Sequence, residues 1–204
     1  MSRDWREDDE LRELEKDEIS HGWRPSQETL QAIEGDVKDV SENLLKVKGF
    51  EKAEVLGNED VAEYLSTELP EEHTERVTQI EYTDKYDGDE GGYVAGCCIT
   101  DTKNSISTIE INRQSSEGSY DKEEMKRTIT HEVGHSVYYS LNEEQRNQWS
   151  EIYANSSANG FVSDYAQTNE REDFAESYVT YVHDLEYLKV TSTAKYDFMR
   201  QYVF

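Results

Sequence analysis

His131-Glu132-Val133-Gly134-His135 is the stretch on which the reading of this chain turns. It lies in a segment with helical periodicity. Met125, Ile129, Val133 and Val137 recur at intervals of four, and Asp121 stands where an N-cap belongs. On an α-helix, residues four apart project from one face one turn apart, so both imidazoles can reach a single tetrahedral ion. Glu132 lies about 100° round the helix from His131, beside such an ion but not on it, which is the place for a base acting on water. The apolar side of the same helix would dock on a core. The five residues arise by chance in a small minority of chains, and the helical context adds to their weight.

Working downstream, a catalytic zinc takes three protein ligands and keeps one position open. The third is sought in Asn169-Glu170-Arg171-Glu172-Asp173-Phe174-Ala175-Glu176-Ser177-Tyr178. Glu172 and Glu176 are four apart and share a helical face, while Phe174, Tyr178, Val179 and Val182 can bury another. One carboxylate can bind zinc, and the next turn can bond the free N–H of a ligand histidine. In a chain this acidic the plain reading of Glu172 is a solvated helix carboxylate. The spacing, the upstream Tyr165 and the need for a third ligand outweigh it.

Upstream, Val77 to Tyr82 alternates like a strand, Asp87 to Gly92 reads as a loop, and Tyr93 to Thr100 is β-rich. A turn at Asp101 to Asn104 leads to a strand over Ser107 to Asn112, so these last two runs predict a hairpin. A polar loop, Arg113 to Tyr120, leads into the motif helix. Strands precede helices, and the class is α+β: a small, twisted, mostly antiparallel sheet packed on the motif helix, with a helical N-terminal region and C-terminal helices. Residues 1–20 are almost wholly charged and read as a solvated helix or tail. Ser26 caps a helical pattern through Leu30, Ile33, Val37, Val40 and Leu44 that Gly49 stops. Glu59 to Leu69 is a second helix, ended by Pro70. The expected division is an acidic, mainly helical region at 1–75 and a catalytic domain at 76–204.

Composition narrows the partners. The 204 residues carry 46 acidic side chains against 21 basic ones, a net charge of −25. A surface of that sign repels phosphate backbones and anionic headgroups, so neither nucleic acid nor a membrane surface is expected as a partner. No apolar run approaches the roughly 18 residues of a membrane span, and the N-terminus lacks the apolar core of a secretory signal. Such charge is the composition of proteins adapted to high-salt cytoplasm; an acidic protein of ordinary salt is the other reading. Cys97 and Cys98 are adjacent, which suits neither a disulfide framework nor a thiolate metal site. With only 34% apolar residues the chain leans toward disorder, but its two prolines and 14 tyrosines point to a folded, heavily solvated protein.

The pattern His131-Glu132-x-x-His135, with Tyr165 seven residues before Glu172 in a Glu-x-Phe-Ala-Glu segment, resembles the zinc peptidase domain of the anthrax lethal factor family and its Pro-Pro endopeptidase relatives. The resemblance covers roughly residues 90–185. It implies a zincin (gluzincin-like) fold, one catalytic zinc held by His131, His135 and Glu172, Glu132 as the base, and Tyr165 as a donor to the oxyanion. It also makes the hairpin before the helix the edge that pairs with an extended substrate. Glu176 is expected behind the ligands, bonded to a histidine. Asp164, Tyr138, Tyr139 and the C-terminal aromatics are read as structural, and His21, His73 and His183 lack ligand spacing.

The expected activity is zinc-dependent hydrolysis of a peptide bond in a peptide or protein substrate, with neutral or basic peptides favoured by charge. The competing reading is a virion or mobile-element assembly protein that keeps a zincin fold, docking a partner through its charged N-terminal region. Hydrolysis of a non-peptide amide is a third. The expected location is accordingly cytoplasmic or virion-associated.

Overall fold

The period-two alternation at Val77-Thr78-Gln79-Ile80-Glu81-Tyr82 does form a strand, with one irregularity that fits its burial. The register slips between Val77 and Gln79, so Val77, Ile80 and Tyr82 all face the core although their numbers are out of phase. The computed structural model describes residues 45–84, 88–89, 92–93, 95–104, 106–113 and 121–204. In chain order its elements are β1 (Lys46–Lys48), α1 (Asn58–Glu68), α2 (Glu71–Thr74), β2 (Val77–Thr83), the short strands β3 (Gly88–Asp89) and β4 (Gly92–Tyr93), β5 (Gly96–Asp101), β6 (Ile106–Asn112), α3 (Lys122–Ser140), α4 (Glu143–Ala154), α5 (Glu170–His183), α6 (Leu185–Thr191) and α7 (Thr193–Tyr202). The class is α+β. No helix among the described residues is long and apolar enough to cross a membrane.

The sheet corrects the expectation of a mostly antiparallel one. Its order is β1-β2-β6-β5, and it is mixed: β1 with β2 and β2 with β6 run parallel, and only β6 with β5 is antiparallel. The reason lies in the connections. β1 returns to β2 through α1 and α2, long enough for a parallel crossover. The predicted hairpin forms as β5–β6, but it is its second strand that pairs with β2, leaving β5 on the outer edge. The segment expected as a loop before it carries the two-residue ribbon β3–β4.

The second correction concerns residues 45–49. The helical run expected to end at Gly49 is a strand over Lys46–Lys48, because Leu45 and Val47 pack on the core while Lys46 and Lys48 point to solvent, a period of two. The rest of that helix, residues 28–44, lies outside the described residues, as do the charged tail at 1–20, His21, the cap at Ser26 and most of the polar loop, 114–120. Phe50, Leu56, Val61, Tyr64 and Leu65 join Ile80, Ile109 and Ile111 of the sheet and Met125, Ile129 and Val133 of α3 in one buried cluster. The described part of the N-terminal region is therefore built into the same core as the motif helix.

Helix starts follow local chemistry. Asp121 accepts the N–H groups of Glu123 and Glu124 at 2.9 and 2.8 Å, and the Glu124 carboxylate accepts the Asp121 N–H, closing a capping box. Asn142 and Gln145 do the same for α4. An aromatic layer of Trp149, Phe174 and Phe198, with ring centroids 5.1–6.4 Å apart, joins α4, α5 and α7 beneath the site.

Candidate metal centre

Two helices build the site. α3 brings His131, Glu132 and His135; α5 brings Glu172 and Glu176. They meet where the motif has its glycine: a Cβ on Gly134 would lie 3.1 Å from the Ala175 Cα and 3.3 Å from the Tyr178 Cβ. The absent side chain allows a close crossing, and that closeness brings carboxylates of one helix to imidazoles of the other. Asn169 starts α5, its side chain accepting the N–H groups of Arg171 and Glu172 at 2.9 and 3.1 Å. Glu172 thus stands in the first turn, where the helix dipole favours an anion.

The donor atoms converge. His131 Nε2 is 3.0 Å from Glu172 Oε2, His135 Nε2 is 3.4 Å from the same oxygen, and the two Nε2 atoms are 3.1 Å apart. Zinc ligands at about 2.0–2.1 Å in a tetrahedral set lie about 3.3–3.4 Å from one another. The triangle already has nearly those edges, and its three side chains are only 12–14% exposed. On the far side of the ring, His131 Nδ1 lies 2.8 Å from Glu176 Oε1. With the proton on Nδ1 as donor to that carboxylate, the Nε2 lone pair is left for an ion. The residues present therefore fit a zinc ion by distance, donor type and tautomer.

Electrostatics agree with the geometry. Burial alone would push His131 down, but its hydrogen bonds to Glu172 and Glu176 and the nearby Glu132 charge hold it up at about 10. Burial opposes ionisation of Glu172 as well, yet the two histidines hold its carboxyl far below the usual carboxylate range. Glu176 is likewise held low despite its burial, by His131 and by a hydrogen bond from Ser163. Glu132 differs: burial pushes its carboxyl up, against the pull of His131 and His135. It is 5% exposed and packs under the edge strand, where a Cβ on Gly96 would come within 2.6 Å of its Oε1. A carboxyl whose ionisation burial opposes, at the foot of an edge strand, is placed to hold and pass a proton.

Tyr165 opens a 3₁₀ turn, Tyr165–Gln167, rather than standing in irregular loop. It is 42% exposed, its ring centroid is 5.9 Å from that of His131, and its hydroxyl donates to Glu172. Burial of the hydroxyl and the carboxylates around it push the phenol well up, so it stays a donor.

All six residues singled out from the sequence, His131, Glu132, His135, Tyr165, Glu172 and Glu176, therefore meet at one place. His73 does not: it is buried, accepting from the Tyr178 hydroxyl and donating to the Val203 carbonyl, both at 2.9 Å. His183 bonds Tyr64 and Thr130. Tyr138 is buried and donates to Glu170. Missed from the sequence were Ser163, which donates to Glu176 and accepts the Ala166 N–H at 3.0 Å, and Gly96. A serine in a polar segment carries no signal of its own; Gly96, before two cysteines in a β-rich run, was a readable sign of close approach. Compared with known proteins, the chain matches no family model and no curated protein.

Proposed function

We propose that the chain is a zinc-dependent endopeptidase of gluzincin type, similar to the lethal factor and Pro-Pro endopeptidase group. The observation that carries this is the triangle of His131 Nε2, His135 Nε2 and Glu172 Oε2, with edges of 3.0–3.4 Å, beside a buried Glu132. His131, His135 and Glu172 would hold the zinc, which would supply Lewis acidity toward a carbonyl and toward water. Glu132 takes the proton from the attacking water and hands it to the leaving amine. Tyr165, released from Glu172, donates its hydroxyl to the oxygen on which negative charge develops. Glu176 and Ser163 hold His131 in the tautomer and orientation this requires. The outer strand β5 of the described sheet runs beside Glu132, and an extended peptide would lie along it there.

The test is a peptide-library digest with and without a chelator, together with elemental analysis of the purified chain. One zinc per chain and chelator-sensitive cleavage are expected, with Glu132→Gln keeping zinc and losing about 10²–10⁴ in turnover. Zinc bound without cleavage of any peptide would reject the enzyme and leave the assembly role as the reading to pursue.

A further inference from the structure

One cation is buried just behind the site, and the chemistry above does not use it. Lys195 of α7 is wholly buried, and its ammonium makes three contacts. It donates to Asp173 Oδ1 at 2.5 Å, donates to the Gly160 carbonyl at 2.8 Å, and sits 4.1 Å from the centre of the Phe161 ring. Asp173 follows the ligand Glu172 in α5. Gly160 and Phe161 open the short segment that carries Ser163 and Tyr165. A single ammonium thus ties the helix that supplies two carboxylates to the segment that supplies the tyrosine. Taking such a pair out of water is costly for both ions, and a well-packed apolar replacement is often as stable. Fold stability is therefore a weak reason for a lysine here.

We infer that Lys195 is a positioning residue: it latches segment 160–166 onto α5, and so sets where the Tyr165 hydroxyl lies relative to His131 and Glu172. The kinetic side of this inference rests on the peptidase reading; the structural side does not. The latch acts at two points on one segment. Lys195 grips its start through the Gly160 carbonyl and Phe161 ring, and Ser163 grips its middle through Glu176. The Ala166 N–H, bonded to Ser163, carries the constraint to the residue next to Tyr165. With Lys195 removed, the hold through Ser163 remains, so the zinc ligands keep their places while the tyrosine loses precision.

The test uses the full chain with Lys195→Met, which keeps the length of the side chain but drops the ammonium, so that buried Asp173 takes up a proton in its place. Amide exchange of residues 161–168 in the zinc-loaded protein should quicken by about tenfold or more, with zinc content unchanged. In the peptidase assay kcat should fall by about 10- to 100-fold with little change in KM. A Lys195→Met/Tyr165→Phe double variant should be no slower than Tyr165→Phe alone, because both act through one hydroxyl. Unchanged exchange in 161–168 would overturn the inference, as would kcat losses that multiply in the double variant. If Lys195→Met does not fold, Phe161→Leu removes one contact of the ammonium and carries the same exchange and kinetic comparison. Absence of any peptide cleavage by the wild type would reject the peptidase reading, and the exchange result would still decide for or against the latch.

Discussion

Gly134→Ala is the sharpest probe of how the site is assembled, because two opposing terms can be set against each other. In the interior of α3, alanine is favoured over glycine by about 1 kcal/mol. Against this, the new methyl would stand 3.1 Å from the Ala175 Cα and 3.3 Å from the Tyr178 Cβ, separations that must open by a few tenths of an ångström. Neither neighbour is the far end of a flexible chain: one is backbone, and both residues are wholly buried. The strain is that of an overpacked core, about 1–3 kcal/mol. The net change in stability of the metal-free protein is then a loss of about 0–2 kcal/mol. The metal should be hit harder. The ligand triangle spans the same two helices, and zinc tolerates errors of only about 0.2 Å in its distances. Moving α5 off α3 separates Glu172 from both histidines, and zinc affinity should fall about 10- to 100-fold, the range seen when groups supporting a ligand are lost. Thermal unfolding of the metal-free variant and chelator competition for zinc measure the two quantities separately. A variant that gains about 1 kcal/mol and binds zinc as wild type does would show that the helices have slack, and that the glycine does not set the crossing.

Tyr165→Phe should lower kcat by about 10²–10³, the typical effect of losing one oxyanion donor, with zinc content unchanged; a stability loss with normal turnover would strike Tyr165 from the mechanism. His131, held up at about 10 against an unfolded value near 6.5, stabilises the metal-free fold fully below about pH 6.5 and loses that contribution as pH rises through 10. Zinc uptake at pH 8 must expel its proton, so calorimetry in buffers of different ionisation enthalpy should find about one proton released per zinc, and none released would refute the paired imidazolium. With a net charge of −25, the melting temperature should rise as NaCl goes from dilute buffer toward 1 M, where the Debye length shrinks to about 3 Å; a flat or falling curve would refute the repulsion.

The helices read from the sequence that the structure contains, α1, α3 and α5, were legible because each carries its own signals. Asp121 with Glu124, the four-residue apolar spacing of α3, and Pro70 closing α1 are local, and the structure has them where the pattern puts them. The sheet was legible only strand by strand. Alternation announces β2, and β-rich runs either side of a turn announce β5 and β6, but nothing in a strand's own residues says which neighbour it takes, so the parallel β2–β6 pairing was hidden. β1 was lost for another reason: Leu44 and the residues after it continue a helical spacing, and three residues of alternation at Lys46–Lys48 are too short to compete with it.

The site shows the same division between local and long-range information. The two histidines and Glu132 were readable because one turn of helix fixes them relative to each other. Glu172 is one of 46 acidic residues, and its charge says nothing; it could be singled out only by standing four residues from Glu176 and seven from Tyr165. Whether α5 lies against α3 depends on Gly134 facing Ala175, a pairing 41 positions apart with no polar group in it. Lys195 is further removed still, and as a sequence it is an ordinary lysine on an amphipathic helix. Its burial is decided by Asp173, Gly160 and Phe161, none of which has meaning until the aromatic layer of Trp149, Phe174 and Phe198 has brought α7 beneath α5. The chemistry of this site is therefore written in short spacings, and its precision in contacts that exist only after the chain has folded.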